Sequence, residues 1–368
     1  MSDTHRAIDG VWRIESARLI AGLARIVGDV GLAEDLAQDA LLAALERWPE
    51  LGIPDKLEMT MKTTTNTRAL TRLLVLAVAA AMLVDASTGS AQRAARRGAG
   101  GRYAYVNGLK MYYEVRGTGR PVVFLHGALS NIESDFGKIL PTIAKTRQVI
   151  AIEQQGHGRT ADIDRPLTYE QMADDVAELL RQLRITNADF VGYSMGGGVA
   201  MYVAVRHPEL VHKLVFAGGA SFNSDGFYPE LLEGEKKMTP DAFVGTPWLK
   251  TYMRIAPNKG DWPRLVEKIK DLDVKWRGLS EDQIRSIKAP TMLIVGDADV
   301  VRPEHVVQMF RLLGGGVPGD LVGLPRSRLA VLPGTTHVTL ITRTSWLLSM
   351  IPEFLDAPML VKKSPKGG

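Results

Sequence analysis

The clearest chemical signal in the sequence is the segment Gly192-Tyr193-Ser194-Met195-Gly196, which follows an apolar run and precedes a helical pattern. A serine with G-x-S-x-G spacing between a strand and a helix stands on a sharp turn that lifts its hydroxyl above a sheet. The glycines are required because only small residues let strand and helix approach so closely. Ser194 is therefore predicted to be a nucleophile for acyl transfer.

A serine hydroxyl is a weak nucleophile, and it needs a base that is itself oriented by an acid. Asp299 follows the apolar segment MLIV within the pattern G-x-x-D-x-x-x-P, and His337 follows the apolar segment AVL. We predict that His337 is the base and Asp299 the acid. Asp297 is interpreted as a turn residue.

The tetrahedral intermediate of acyl transfer needs two backbone N–H donors. The residue directly after the nucleophile, Met195, is predicted to supply one. The other is expected from the loop after the first buried strand, with Ala128 preferred over Leu129. His126 in the same loop is predicted to be structural, through hydrogen bonds within that loop.

Six continuous apolar strands alternate with helical patterns after residue 103, and an Asn-Gly hairpin at 107–108 precedes them. The predicted strands are Val122–Leu125, Val149–Ile152, Phe190–Tyr193, Leu214–Ala217, Met292–Val295 and Leu329–Leu332, and the predicted helices include Tyr169–Leu183, Met195–Arg206, Pro303–Leu312 and Ser345–Phe354. Such alternation predicts an α/β fold with a mostly parallel sheet covered by helices on both faces. Residues 221–288 interrupt the alternation, are rich in aromatic residues and are predicted to form a helical insertion.

Five motifs in residues 103–357, namely FLHG, EQQGHGRT, GYSMGG, GDADVVRP and GTTH, resemble those of the α/β-hydrolase superfamily. The resemblance is to the esterase, haloperoxidase and proline-iminopeptidase-like branch. It implies that residues 221–288 form a cap over the active site. Glu153 departs from the pattern, since many relatives have aspartate there. The sequence is also similar to serine-dependent macrolide esterases.

The first 101 residues differ in character from the rest of the chain. Residues 1–58 carry 6 basic and 11 acidic groups and resemble a truncated N-terminus of extracytoplasmic-function sigma factors, interpreted as a remnant. Residues 59–101 combine basic residues, an apolar run and small residues ending at Ala91, a pattern typical of a signal peptide and linker. The protein is expected to be periplasmic or secreted if translation starts at Met59 or Met61. Otherwise a cytoplasmic or weakly membrane-associated protein remains open, with no stable membrane anchor expected.

Composition narrows the function further. The sequence has no cysteine, which excludes disulfides and cysteine nucleophiles, and no metal or organic cofactor is implied. The clustered positive charge lies in residues 59–102, which carry 7 basic groups and 1 acidic group, and not on a folded face, so that no nucleic-acid partner is predicted. Residues 358–368 are expected to form a flexible tail.

The predicted function is hydrolysis of a small-molecule ester or lactone, with a bulky macrolide as one substrate. A peptidase or amidase would need an acidic cluster to hold a free amine. Glu230, Glu233 and Glu235 could form it, although a solvated face is the preferred interpretation. A non-catalytic ligand-binding protein with the same fold is the third alternative, and the sequence leaves the oligomeric state open.

Overall fold

The computed structural model describes residues 101–359, together with Ser16, Ile20 and Ala21, which are helical. The predictions of a sigma-factor-like remnant at 1–58, a signal segment at 59–101 and a flexible tail at 358–368 therefore lie almost wholly outside the described residues. Gly98–Gly368 is a compact unit of the chain.

A single eight-stranded sheet forms the centre of this unit, with the strand order β1-β2-β4-β3-β5-β6-β7-β8. The strands are β1 Arg102–Val106, β2 Leu109–Arg116, β3 Pro121–Leu125, β4 Gln148–Ile152, β5 Ala188–Tyr193, β6 Val211–Ala217, β7 Thr291–Ala298 and β8 Arg328–Thr336. β2 pairs antiparallel with β1 and β4, and the six strands from β3 to β8 pair in parallel. The prediction of a mostly parallel sheet is confirmed.

The Asn107-Gly108 turn joins β1 to β2. Both residues have a positive φ, 47° and 83°, as a two-residue hairpin turn of type I′ requires. The side-chain amide of Asn107 also donates to Asp175 Oδ1 at 2.9 Å, which ties the hairpin to the neighbouring helix.

Helices cover both faces of the sheet, as the continuous apolar strands predict. The helices are α1 Ile132–Phe136, α2 Leu140–Ile143, α3 Tyr169–Gln182, α4 Met195–Arg206, α5 Pro229–Lys236, α6 Pro247–Ile255, α7 Trp262–Lys275, α8 Glu281–Ser286, α9 Pro303–Leu312, α10 Gly319–Val322, α11 His337–Leu340 and α12 Thr344–Asp356. Alternate residues of β3 enter two separate apolar clusters, Val123 and Leu125 in one and Val122 and Phe124 in the other. The core therefore has two layers, one on each side of the sheet.

Helices α5 to α8 all lie between β6 and β7, inside the range predicted as a helical insertion. Their aromatic residues pack on one another: the ring of Trp262 lies 5.6 Å from that of Phe243 and 5.1 Å from that of Tyr252. We call the segment 221–288 the cap. Part of its aromatic content is thus its own small core.

Among residues 101–359, no helix combines the length and apolar character needed to cross a membrane.

Candidate active site

Ser194 stands on a strained turn between β5 and α4. Its backbone has φ 54° and ψ −121°, which a residue with a Cβ adopts only when the surrounding structure enforces it. The flanking glycines make the turn possible. A Cβ on Gly192 would lie 2.3 Å from the carbonyl oxygen of Gly196, and one on Gly196 would lie 2.0 Å from that of Leu125. The sequence places glycine where strand and helix backbones nearly touch.

The structure brings the three predicted catalytic side chains together. Ser194 Oγ lies 2.9 Å from His337 Nε2, and His337 Nδ1 lies 2.9 Å from Asp299 Oδ1. The imidazole thus joins the hydroxyl to the carboxylate, in the order that a serine nucleophile, a general base and an orienting acid require.

The environment of Asp299 keeps it ionised. Burial acts to raise its pKa, but the hydrogen bond and charge of His337, with the N–H groups of Val300 and Gly296, outweigh it and hold the pKa below its usual range. Val300 N donates to Oδ1 at 2.7 Å, and Gly219 N donates to the same oxygen at 3.2 Å. An ionised Asp299 accepts the Nδ1 proton of His337, which leaves Nε2 free to accept the serine proton.

The structure places Asp297 in a strand, whereas the sequence predicted a turn. It belongs to β7, which is longer than the sequence indicates, and not to a turn. Its carboxylate accepts hydrogen bonds from the N–H groups of Gly334 and Thr335, at 2.9 and 3.0 Å. Asp297 therefore stabilises the backbone of the segment that leads to His337, while Asp299 contacts the imidazole itself.

Tyr193 is a positioning residue that the sequence analysis did not single out. Its hydroxyl donates to the carbonyl oxygen of His337 at 3.0 Å, and the two rings stack with centroids 5.5 Å apart. The variable residue of the G-x-S-x-G motif thus fixes the histidine of the triad. No local pattern in the sequence indicates this contact, because 144 residues separate the pair.

The predicted oxyanion donors line a cavity that opens onto Ser194. Ala128 and Met195 both line it, and Leu129, the alternative, has a positive φ of 59°. The loop is held by Asp135, whose carboxylate accepts from Gly127 N at 2.8 Å and from the Ser130 hydroxyl. Burial raises the pKa of Asp135 to about 6.

His126 is buried beneath this loop, and its hydrogen bonds are structural. Nδ1 lies 2.7 Å from the Gly127 carbonyl oxygen, and Nε2 accepts from Gln154 N at 3.1 Å. Burial lowers the pKa of His126 to about 3. The imidazole is therefore neutral at physiological pH and ties the loop after β3 to the one after β4.

A cavity of about 190 Å³ opens onto Ser194 and His337. Its wall is formed partly by residues around Ser194 and partly by residues of the cap. The lining residues are Ala128, Tyr169, Ser194, Met195, Gly198, Phe216, Gly219, Ser221, Phe227, Leu231, Glu235, Asp273, Trp276, Val300 and His337.

Two acidic residues of the cap line this cavity. Glu235 is one of the three glutamates assigned to a solvated face; that interpretation holds for Glu230 and Glu233, which are exposed, but is wrong for Glu235. The sequence analysis missed Asp273. Burial raises the pKa of Glu235 to about 7, and burial together with the charge of Glu235 raises that of Asp273 well above its usual range.

The described residues contain no group of three or more His, Asp or Glu side chains that could hold a metal ion. The polar side chains nearest to Ser194 are those of the hydrogen-bonded series Ser194, His337 and Asp299.

Comparison with known proteins agrees with this geometry. A family model of the alpha/beta hydrolase fold matches residues 120–247. The 2-hydroxymuconate semialdehyde hydrolase of Pseudomonas sp. (strain CF600) is 33% identical over 123 residues, covering 33% of this chain and 44% of that protein. An sn-1-specific diacylglycerol lipase of Xenopus laevis is 39% identical over 99 residues, covering 26% and 31%. The chain therefore spans less than half the length of these two relatives.

A third relative is matched over a longer range. The 2-hydroxy-6-oxo-6-(2'-aminophenyl)hexa-2,4-dienoic acid hydrolase of Metapseudomonas resinovorans is 26% identical over 227 residues, covering 57% of this chain and 78% of that protein.

Solved structures extend the likeness over the whole domain. An N-acyl homoserine lactone degrading enzyme aligns with a TM-score of 0.53 and 24% identity, over 69% of this chain and all of that one. A carboxylesterase structure from Nitrososphaera gargenis aligns with a TM-score of 0.54 and 20% identity, over 70% and 97%. Identity at this level shows the fold alone. Residues 101–359 have the α/β-hydrolase fold, as the sheet order, the family model and these solved structures agree.

Proposed function

We propose that this protein is a serine hydrolase that cleaves a carboxylic ester or lactone through an acyl-enzyme. The observation that carries the proposal is the continuous chain of hydrogen bonds from Ser194 Oγ through His337 to Asp299, with both distances at 2.9 Å. Because Ser194 also lines a cavity, a substrate carbonyl can reach its hydroxyl.

The geometry accounts for each proton in the reaction. His337 Nε2 takes the hydroxyl proton as Ser194 Oγ bonds to the substrate carbonyl carbon, and Asp299 stabilises the resulting imidazolium. The N–H groups of Met195 and Ala128 are the proposed donors to the oxyanion. His337 then protonates the departing alcohol oxygen as the C–O bond breaks. Water repeats the sequence on the acyl-enzyme and regenerates Ser194.

The size of the cavity constrains the substrate. About 190 Å³ is below the 300–1,000 Å³ that is usual for sites of drug-sized ligands. It suits a short acyl or alcohol group, and a macrolide lactone would require the cap to move outward. We therefore propose small esters and lactones first, and macrolides as a second substrate class.

The relatives support hydrolysis without selecting a bond. Their names include a semialdehyde hydrolase, a dienoic acid hydrolase and a diacylglycerol lipase. An amidase is the alternative that a specific observation favours, since Glu235 lines the cavity and could hold a substrate amine.

Hydrolysis of p-nitrophenyl acetate, butyrate and octanoate by wild type and Ser194→Ala tests the proposal. We expect wild-type turnover that Ser194→Ala loses by at least about 10³-fold. A panel of prolyl amides, macrolides and 2-hydroxymuconate semialdehyde, followed by mass spectrometry for the gain of one water, identifies the bond that is cleaved.

A second serine–histidine pair provides a control for the assignment of the nucleophile: Ser221 is the first residue of the cap, and His305 lies on α9. Ser221 Oγ lies 2.9 Å from His305 Nε2, but it donates to the Asn223 carbonyl oxygen at 2.6 Å. Ser221→Ala should therefore retain kcat, and any change should be confined to KM, because Ser221 lines the cavity but does not contact His337. If Ser221→Ala abolished hydrolysis and Ser194→Ala did not, the assignment of the nucleophile would be wrong. If wild type and Ser194→Ala were equally inactive on every substrate, the non-catalytic alternative would replace this proposal.

We also propose, from the sequence of residues 59–101, that the protein is exported. N-terminal sequencing of the protein made by its native host tests this, and a mature terminus near Gln92 is the expected result. A terminus at Met1 would overturn the proposal.

A further inference from the structure

Two carboxyl groups face the Ser194 cavity from opposite cap helices. Glu235 lies near the end of α5 and Asp273 near the end of α7, and both line the cavity wall. Burial is the main cause that raises the pKa of Asp273 and that of Tyr169; the charge of Glu235 adds to the first shift, and the charges of Asp273 and Glu235 add to the second.

Neither carboxyl group has a cationic partner among residues 101–359, since none of the ion pairs or side-chain hydrogen bonds found there includes Glu235 or Asp273. The lysines beside them are turned outward. Lys236 pairs with Glu233 at 2.6 Å and Lys275 with Asp271 at 2.6 Å, and all four side chains are mostly exposed.

This arrangement is unlike that of two other carboxylates in the domain, Asp189 and Asp175. Asp189 is buried against Arg147, and Asp175 against Arg165. A buried charge without a partner is costly. Asp273 is half-buried at the cavity wall, and no side chain among the described residues pairs with its carboxyl group.

Aromatic residues form another part of the same wall. Trp276 follows α7 and lies 5.5 Å from the ring of Tyr169 and 5.9 Å from that of Phe227. The indole is fixed, because its N–H donates to the Tyr202 hydroxyl at 3.0 Å. Aromatic faces attract cations through their quadrupoles, above all quaternary and substituted ammonium groups.

We propose that Glu235 and Asp273, together with Trp276 and its aromatic neighbours, form a subsite for a positively charged ammonium group of the substrate. This inference deepens the proposed function, on which it rests, by naming the substrate class: esters or lactones that carry an amine or quaternary ammonium group. When they are ionised, a form that a bound cation itself stabilises, the two carboxyl groups and their aromatic neighbours are complementary to a cation and repel a carboxylate. Dicarboxylate and dienoic acid substrates are therefore disfavoured at this site.

The titratable groups around the pair are Tyr169, on α3, and His337. The charge of His337 acts to lower the pKa of Glu235. The charge of His337 would act on a bound cation as well. A quaternary ammonium probe is therefore preferable to an amine, because the charge of the probe itself does not change with pH.

Binding to the Ser194→Ala protein tests the subsite independently of turnover. The probes are butyrylcholine and 3,3-dimethylbutyl butyrate, which differ by nitrogen for carbon and thus by one positive charge. We expect butyrylcholine to bind at least about tenfold more tightly by calorimetry, equivalent to about 1.4 kcal/mol. Adding Glu235→Gln and Asp273→Asn should reduce that ratio to about 1.

Glu233→Gln and Asp271→Asn, added to the same protein, are the matched controls, because these acids lie on the same two helices and face solvent. They should leave the ratio unchanged. Equal binding of the two probes, or equal loss of preference in the control variants, would overturn the subsite. Hydrolysis of p-nitrophenyl butyrate by the wild-type protein reports separately on the proposed function, so that failure of one is distinguishable from failure of the other.

Discussion

Replacing the nucleophile with glycine should give a more stable protein than replacing it with alanine, while both variants lose turnover. Ser194 has φ 54° and ψ −121°, a conformation that costs a residue with a Cβ about 1–3 kcal/mol and that glycine adopts readily. Ser194→Ala keeps the Cβ and removes the hydroxyl. The difference between the two variants thus separates the backbone strain from the lost hydrogen bond to His337.

The expected difference follows from two opposing terms. Glycine relieves about 1–3 kcal/mol of strain but loses about 0.4–1 kcal/mol, because it gives the unfolded chain more freedom. Ser194→Gly should therefore exceed Ser194→Ala in free energy of unfolding by about 1 kcal/mol. In a domain of this size, that raises Tm by roughly 2–4 °C.

Thermal and denaturant unfolding, followed by circular dichroism, measure this difference. Ser349 supplies the control, because it is exposed within α12. There the helical backbone makes glycine less stable than alanine by about 1 kcal/mol. The two serines should show opposite orders of stability. If glycine were the less stable variant at both positions, the turn at Ser194 would not be strained and the reasoning would fail.

Three further results are expected. Asp299→Asn should lower kcat by about 10⁴-fold, because the imidazole loses its correct tautomer, whereas Asp297→Asn should mainly lower the free energy of unfolding by about 1 kcal/mol; steady-state kinetics and urea unfolding separate them, and equal kinetic losses would contradict the assignment. Gly197→Ala should destabilise the domain by about 1–3 kcal/mol, because its Cβ would lie 2.1 Å from the Phe216 ring; an unchanged Tm would refute this. In the Ser194→Ala variant, butyrylcholine affinity should rise as the pH is raised through about 7, because the cation favours the ionised form of Glu235, whose pKa is raised to about 7. It should rise further as Asp273 ionises, because the pKa of Asp273 is raised well above its usual range; a flat calorimetric profile would count against both expectations.

Much of the fold could be predicted because its signals are local. A parallel strand covered on both faces is apolar throughout, and helices α4 and α9 begin and end at the predicted residues. The turn at Ser194 could be predicted as well, because Gly192 is required by a contact with Gly196, four residues along the chain, although Gly196 is required by a contact with the distant Leu125. The structure then placed Asp299 and His337 beside Ser194, where the motif order predicts them.

The choice between two nearby aspartates shows where sequence reasoning weakens. Asp297 and Asp299 are two residues apart, and the pairing of β7 with β8 shifts register between Gly296 and Ala298. Such an irregularity re-aims the side chains that follow it. Asp297 contacts the backbone before His337, and Asp299 contacts the imidazole. The sequence favoured Asp299, which the structure places against the imidazole, but assigned Asp297 to a turn although it lies in β7.

The sequence by itself determined the sheet, the strained serine turn and the candidates for the proton relay, because strand periodicity and backbone sterics act over a few residues. Only the tertiary structure decided which cap acids enter the cavity. Glu233 and Glu235 belong to the same short helix, yet one pairs with Lys236 in solvent and the other faces Ser194. That difference depends on how the cap helices dock onto the domain. The position of the cap helices depends on packing between residues far apart in the chain, and no local sequence pattern indicates that packing.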